Sequence, residues 1–499
     1  MGTTGRAYQR PIAAANALAA DAVDSHRFLD KRVLVTGDSF VLTANGGACL
    51  DYSTRLVSKI CRNVTVSLSG PASGRISETR ELAAKLVMGA PITVNDSVPD
   101  PTDFDAILSV SCRPFDHHRS TSINSNGWLC RIGSLAQTLD GPVDQYNPIG
   151  ALAAASIGCS EVFKRLIALK PERGLPIRAL SFSLFSYSCE SNDPGPLIPG
   201  VIPLDIGLVG LGAIGNATAT LLAGLPVSGR AFAIDFDAFE DVNLSTCLAI
   251  GPTDLGRPKA EFAQSLLSGR LDVIPLVEKV QRTSERFNES LRPPRIFVNG
   301  LDDIEPRHFV QGMWPDLVVD GAMGGTSLAQ VSIHPWTANV ACLKCMFREA
   351  PGEPVEAVQV RATGLRPERV VDVDSPVTDQ DVSDAPEGRK SWLRERLGRP
   401  VCSVIEEGVA DDLSQSRQRA DFRPAVPFVA TMSASMIVGE LIRASLGHPS
   451  PLEPRYQIDL FQGPQHGQLI PQTRRVDCEC MARRANIERF RAARYAGST

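Results

Sequence analysis

Three glycines, Gly210, Gly212 and Gly215, follow an apolar run from Ile206 to Val209 and precede an alanine-rich stretch that reads as a helix from Asn216. A strand, a turn without side chains and a helix start make a phosphate site. The backbone can approach an anion closely, and unpaired amides at the helix start present partial positive charge to it. A second apolar strand, Ala231 to Ile234, ends at Asp235, where a carboxylate can accept hydrogen bonds from ribose hydroxyls. These residues define a nucleotide site and leave the reaction open, because a NAD-dependent dehydrogenase uses the same arrangement. Further on, Cys342 and Cys345 form a C-x-x-C, and Cys478 and Cys480 a C-x-C. Two thiolate pairs complete a tetrahedral zinc site with no open position, which makes it structural and lets it tie the C-terminal tail to the core.

The elements that must position these residues occur twice. KRVLV (Lys31 to Val35), NVTVSLS (Asn63 to Ser69), FDAILSVSC (Phe104 to Cys112) and GWLCRIGS (Gly127 to Ser134) read as strands, and Pro148 to Leu169 as a long helix with small residues on one face. A Gly-Pro-rich linker at 193–203 follows. After it LDIGLVG answers KRVLVTG, RIFVNGLDD answers FDAILSVSC, and DLVVDGAM follows as a strand. The helix Ala425 to Gly447 answers the earlier long helix, Gly439-Glu440-Leu441-Ile442-Arg443 matching Ser160-Glu161-Val162-Phe163-Lys164-Arg165. The repeat predicts two tandem Rossmann-like, doubly wound α/β domains, of which the first lacks the glycine turn. Residues 1–30 read as a leader helix, and Glu349 to Arg423, charged and Pro-rich, as an inserted crossover loop, partly mobile.

From Asp235 the chain continues D-F-D-A-F-E-D-V-N-L-S-T-C and then G-R-P-K-A. With the glycine turn, the Asp302 strand end and the cysteine pairs, this resembles the ThiF/MoeB/E1 superfamily, whose members adenylate the C-terminal carboxylate of ubiquitin-like or sulfur-carrier proteins. The resemblance spans residues 200–480 and is weak before them. It implies that Asp235 and Asp237 belong to the ATP site, that Asn243 lies beside the phosphates, that Lys259 holds them and that Asp302 engages magnesium. Thr246 falls where the family carries an arginine, so either another cation compensates, from Arg257 or from Arg10, or the adenylation is weakened. The latter sits in an A-Y-Q-R that resembles the R-Y-x-R-Q start from which family members send an arginine into the opposite nucleotide site. Cys402, in GRPVCSVIEEG, falls where E1-like members carry the cysteine that takes the acyl group; Arg396, Arg399, Glu406 and Glu407 would tune its thiolate, and Cys247 is the competing thiol. The implied organisation is a pseudo-dimer: an inactive adenylation-like domain (1–192), the linker, an active domain (204–348 and 424–499) and the catalytic-cysteine segment (349–423).

Composition narrows the classes. A 499-residue chain with 43% hydrophobic and 21% charged residues can bury two or three cores, and a net charge of -5 argues against nucleic acid as the main partner. Acidic residues interrupt the alanine-rich N-terminus, and the apolar run Val426 to Val438 is too short to span a bilayer, so the expectation is a cytoplasmic protein without signal peptide or membrane partner. Twelve scattered cysteines fit reduced thiols, metal ligation or catalysis. The expected function is that of an E1-like activating enzyme, similar to those of bacterial ubiquitination-like operons. It would use ATP, Mg2+ and Zn2+, act on a ubiquitin-like protein ending in glycine, and hand a Cys402 thioester to an E2-like carrier. Alternatives are a sulfur-carrier adenylyltransferase that stops at the adenylate, a NAD-dependent oxidoreductase, and a catalytically dead scaffold that binds a ubiquitin-like tail.

Overall fold

The computed structural model describes residues 6–19, 27–88, 90–97, 99–133, 145–337, 339–347, 355–373, 375–405, 407–408 and 425–495. Two compact units emerge, one of residues 1–347 with 424–499, the other of residues 348–423.

The larger unit holds two mixed sheets, consistent with Rossmann-like domains. The first contains β1 (Arg32–Gly37), β2 (Asn63–Ser67), β3 (Thr93–Asn95), β4 (Ala106–Val110), β5 (Ser120–Asn126), β6 (Leu129–Gly133) and β7 (Ala179–Ser183) in the order β3-β2-β1-β4-β5-β6-β7. The second contains β8 (Ile202–Val209), β9 (Val227–Ile234), β10 (Asp272–Leu276), β11 (Ile296–Asn299), β12 (Leu317–Gly324), β13 (Leu328–Pro335), β14 (Pro454–Asp459) and β15 (Gln468–Pro471) in the order β10-β9-β8-β11-β12-β13-β14-β15. Strand for strand the two orders agree until β15. In both, the first five strands of that order run parallel, and antiparallel pairing begins at the sixth, β5 with β6 and β12 with β13.

The longer helices of this unit are α1 (Gln9–Leu18), α2 (Ala44–Ser58), α3 (Ile76–Lys85), α4 (Pro148–Ile167), α5 (Ala213–Gly224), α6 (Lys259–Leu267), α7 (Val280–Glu289), α8 (Ile304–Gly312), α9 (Pro427–Ser445) and α10 (Arg484–Arg494). Helices α4 and α9 form the spine of the core. The small residues of α4 allow close approach: a Cβ on Gly158 would lie 2.8 Å from Leu108. Ser156 and Thr431 share a hydrogen bond of 2.7 Å between the two helices, and Phe163 packs on Phe428 at 5.5 Å. Each helix also buries a glutamate beside a basic residue, Glu161 with Lys164 and Glu440 with Arg443, at the positions where the sequence repeats. Helix α9 is long and apolar enough to cross a membrane but is buried inside the protein. Each fully buried Leu, Ile or Phe of this spine contributes about 1.5–3 kcal/mol of transfer free energy.

Several expectations need correction. Among the described residues, the expected leader helix corresponds to a helical stretch that includes α1 and to a separate 3-10 turn at Arg27–Asp30; residues 1–5 and 20–26 lie outside the described set. Strand β8 begins at Ile202, inside the expected linker. Strand β5, STSINSN, was not legible as a strand, because its side chains are hydroxyls and amides, yet all seven residues are buried. The expected crossover loop contains folded structure, with helices at Val355–Thr363, Pro367–Val370, Asp379–Asp384 and Glu387–Arg394 and a core of Leu365, Val370, Val377, Leu393, Val401 and Val404. Its dense charges mask apolar residues at helical spacing, and a buried Asp381 bound by Arg369 at 2.7 Å locks the second helix of this unit to the third.

Candidate functional site

Register brings the predicted residues to one sheet edge. Val209 pairs with Ile234 on one side and with Asn299 on the other, so the glycine turn, Asp235 and the loop bearing Asp302 all leave the C-terminal ends of adjacent strands. Gly210 has φ 78°, a conformation that favours glycine, and a Cβ on Gly215 would meet the Gly210 carbonyl oxygen at 2.1 Å. Helix α5 can therefore start directly after the turn, its free amides at the crevice.

Asp235 Oδ2 accepts the Leu211 amide at 2.6 Å and Oδ1 the Asp237 amide at 2.9 Å, which fixes the turn against the end of β9. Burial raises the Asp235 pKa, opposed by Lys259 and those two amides. Lys259 Nζ lies 2.8 Å from Asp237 Oδ2. Burial works against its charge, but Asp235 and Asp237 outweigh it and raise its pKa, so the ammonium is held protonated. Asn243 caps its own turn, Oδ1 accepting the Glu240 amide at 2.9 Å, and its Nδ2 has no partner among the described residues. Asp302 is exposed, with no hydrogen-bond or ion-pair partner among the described residues, and is free to offer hard oxygen ligands to magnesium.

Thr246 is buried at the family's arginine position. Arg257 does not replace that charge: its guanidinium is bound along α6 to Glu261 O and Ser265 and lies over the Phe262 ring. Arg10 has its Nε buried without a hydrogen-bond acceptor among the described residues. Burial raises the pKa of the Cys247 thiol overall, opposed by the charges of Lys259, Lys59 and Arg10. Cys247 is 0% exposed, which removes it as a nucleophile toward a protein substrate.

The corresponding strand end of the first sheet is built differently. Asp38, at the end of β1, accepts the Phe40 amide at 2.9 Å and the Cys112 amide at 3.1 Å, stapling β1 to β4, and a 3-10 turn at Ser39–Leu42 stands where the second sheet has its glycine turn. A carboxylate in that place repels phosphate.

Sequence reasoning missed two features. Asn299 and Arg307 both bind Asp320 Oδ1, at 2.5 and 3.1 Å, and Arg307 also holds Leu301 O at 2.6 Å, so this buried group braces the loop bearing Asp302. Burial pushes Asp320 up to about 6, against the pull of Arg307 and Asn299. Lys59, at the end of α2, is 0% exposed and reaches across to the second half, donating to Leu244 O at 2.8 Å and Ile250 O at 3.3 Å. Only a contact between distant segments reveals either feature.

Cys342, Cys345, Cys478 and Cys480 are buried with all four Sγ atoms within 4.8 Å of one another. The Cys342–Cys345, Cys342–Cys478 and Cys345–Cys480 separations are 3.7, 3.8 and 3.5 Å. Zinc–sulfur bonds of about 2.3 Å in a tetrahedron place sulfurs about 3.8 Å apart, so the donor set fits that ion. In the smaller unit Cys402 stands in the helical segment 401–405, its amide bound to Val373 O at 2.9 Å, and it is the exposed cysteine among the twelve. Arg396 and Arg399 are both paired with Glu407, at 2.5 and 2.9 Å, so their charge is directed there and not to the thiol. Glu406 lies outside the described residues.

A glycine turn, a D-x-D strand end and a lysine at the start of the next helix mark a member of the ThiF/MoeB/E1 superfamily. The ThiF family profile matches residues 204–480, and the chain belongs to that family. Along most of its length it is similar to the uncharacterized protein y4jF of Sinorhizobium fredii, 26% identical over 455 residues, 84% of this chain and 83% of that protein. It is 30% identical over 159 residues to the NEDD8-activating enzyme E1 catalytic subunit of Caenorhabditis elegans, covering 31% of this chain and 36% of that enzyme. The chain thus spans about a third of the enzyme's length. A crystal structure of E. coli MccB with ATP aligns over 73% of this chain and 98% of that one, with 14% identity and a TM-score of 0.35.

Proposed function

We propose that this chain is an activating enzyme that uses ATP and magnesium to adenylate the C-terminal glycine of a ubiquitin-like protein. The acyl group then passes to Cys402 as a thioester and on to an E2-like carrier. The observation that carries the reading is the Lys259–Asp237 contact of 2.8 Å on the edge that also bears Asp235 and Asp302. Such a set suits triphosphate chemistry, where cations must hold two anions in line. Similarity to the NEDD8-activating subunit favours a ubiquitin-like substrate over a sulfur carrier.

In the first step a carboxylate oxygen of the modifier attacks the α-phosphorus and the bond to pyrophosphate breaks. Lys259 neutralises the phosphates, Asp235 orients the ribose and Asn243 donates to phosphate oxygens. A magnesium ion bound through Asp302 would supply further neutralising charge. In the second step the Cys402 thiolate attacks the acyl carbon, AMP leaves with the acyl-phosphate bonding electrons, and the thiol proton goes to solvent. The two sheets of like strand order then act as a pseudo-dimer, with residues 1–192 as the inactive partner that delivers Arg10, and residues 349–423 as the thioester unit. The four cysteines would hold a structural zinc.

Mixing the full chain with ATP, magnesium and a candidate modifier tests the thioester step. A reductant-sensitive adduct that disappears in Cys402→Ala is expected; one that survives the substitution sinks the assignment.

A further inference from the structure

Burying a lysine ammonium without a carboxylate is costly, and Lys59 does so. Its Nζ is bound to two backbone carbonyls, Leu244 O and Ile250 O, at the two ends of the loop 244–250. No carboxylate lies within ion-pair range of it among the described residues. That loop directly follows Asn243 and contains Thr246, where the family has a cation and this chain has none. On its other side it is fastened by α5, where Asn216 Oδ1 accepts the Ala249 amide at 2.9 Å. The loop is thus clipped from two elements, one belonging to the nucleotide-binding sheet and one to the first sheet. Three cations act on Cys247 within this loop: Lys259, Lys59 and Arg10. Lys259 is ion-paired with Asp237, whereas Lys59 and Arg10, both from the first half, make no ion pair among the described residues.

We propose that Lys59 is a positioning residue of the nucleotide site: through it the first half holds the 244–250 loop in the conformation that receives the phosphates and supplies positive charge that the loop lacks at Thr246. The inference rests on the reading of this crevice as an ATP site. It gives the first half, whose own strand end carries Asp38 and a 3-10 turn in place of the glycine turn, a second contribution beside Arg10. Burial lowers the Lys59 pKa to about 7, Arg55 on its own helix adding to the effect and Cys247 and Asp254 from the second half opposing it. A triphosphate nearby favours the ammonium, so nucleotide binding and Lys59 protonation reinforce each other.

The test is magnesium–ATP affinity of the full chain, measured by calorimetry from pH about 6 to about 9, for the native protein, Lys59→Arg and Lys59→Met, with a melting curve for each. Native affinity is expected to fall as pH rises through about 7. In Lys59→Arg, whose side chain does not titrate there, the fall should vanish while affinity is kept. Lys59→Met should bind roughly tenfold more weakly, with its residual affinity independent of pH. A merely structural lysine gives another pattern: melting temperatures drop in the variants, while the dissociation constant and its pH profile match the native protein, and that result overturns the inference. Should Lys59→Met fail to fold, the pair of native and Lys59→Arg profiles decides, since equal pH dependence in the two refutes it. Native protein that binds no nucleotide overturns the ATP-site reading and this inference with it; binding that ignores Lys59 overturns this inference alone.

Discussion

Asp235 Oδ2 accepts the Leu211 backbone amide at 2.6 Å, so the carboxylate proposed to bind ribose also fixes the glycine turn proposed to receive the phosphates. On that proposal one side chain would set both the sugar end and the phosphate end of the crevice. Asp235→Ala should weaken nucleotide binding and also loosen the turn, seen as faster amide exchange at Leu211 in the nucleotide-free protein. Asp235→Asn keeps an acceptor oxygen and should retain much of the turn's protection.

Gly215 offers a steric counterpart. Because a Cβ there would lie 2.1 Å from the Gly210 carbonyl oxygen, Gly215→Ala must displace the turn. We expect a loss of about 1–3 kcal/mol in denaturant titration together with lost ATP affinity. Gly212, where an added Cβ meets nothing within 4 Å, is the control and should tolerate alanine without loss of stability.

The glycine turn, the D-x-D and the cysteine pairs were legible in the sequence because each is a local pattern with a local reason: backbone approach, a strand end, thiolate spacing. The repeat was legible through its apolar strands and the Glu161 and Glu440 helices. What stayed hidden depends on tertiary partners. Strand β5 is polar throughout and becomes a strand only because β4 and β6 flank it. Asp320 and Arg307 are ordinary charges until the fold buries them together, and Lys59 reads as a solvated helix end until the second half closes over it. The helices after Val355 were hidden by the charged residues that surround their small core.

Asp320 carries a pH signature. Its folded pKa of about 6 stands above the ordinary 3.8, so the folded state binds the proton more tightly. Its contribution to stability is present in full below pH about 4 and is lost as pH rises through about 6. Asp320→Asn should remove that slope, visible as a difference between native and variant unfolding free energies across this range. At neutral pH the variant leaves Arg307 buried without its carboxylate and should be destabilised by about 3–5 kcal/mol.

The four-cysteine cluster predicts one zinc per chain by elemental analysis. Chelation should expose the four thiols to a thiol reagent and lower the melting temperature, with the Cys478–Cys480 segment released first. Helix α10 should loosen less, since Arg491 independently binds Trp314 O, Pro315 O and Asp316.

The most direct test of adenylation is ATP–pyrophosphate exchange by the purified chain in the presence of a ubiquitin-like protein ending in glycine. The account predicts exchange that requires the modifier's free C-terminal carboxylate, persists in Cys402→Ala, and falls by roughly 10²–10³ in Lys259→Ala and Asp302→Ala. Exchange that is absent with every such modifier, or that is untouched by both substitutions, would contradict it.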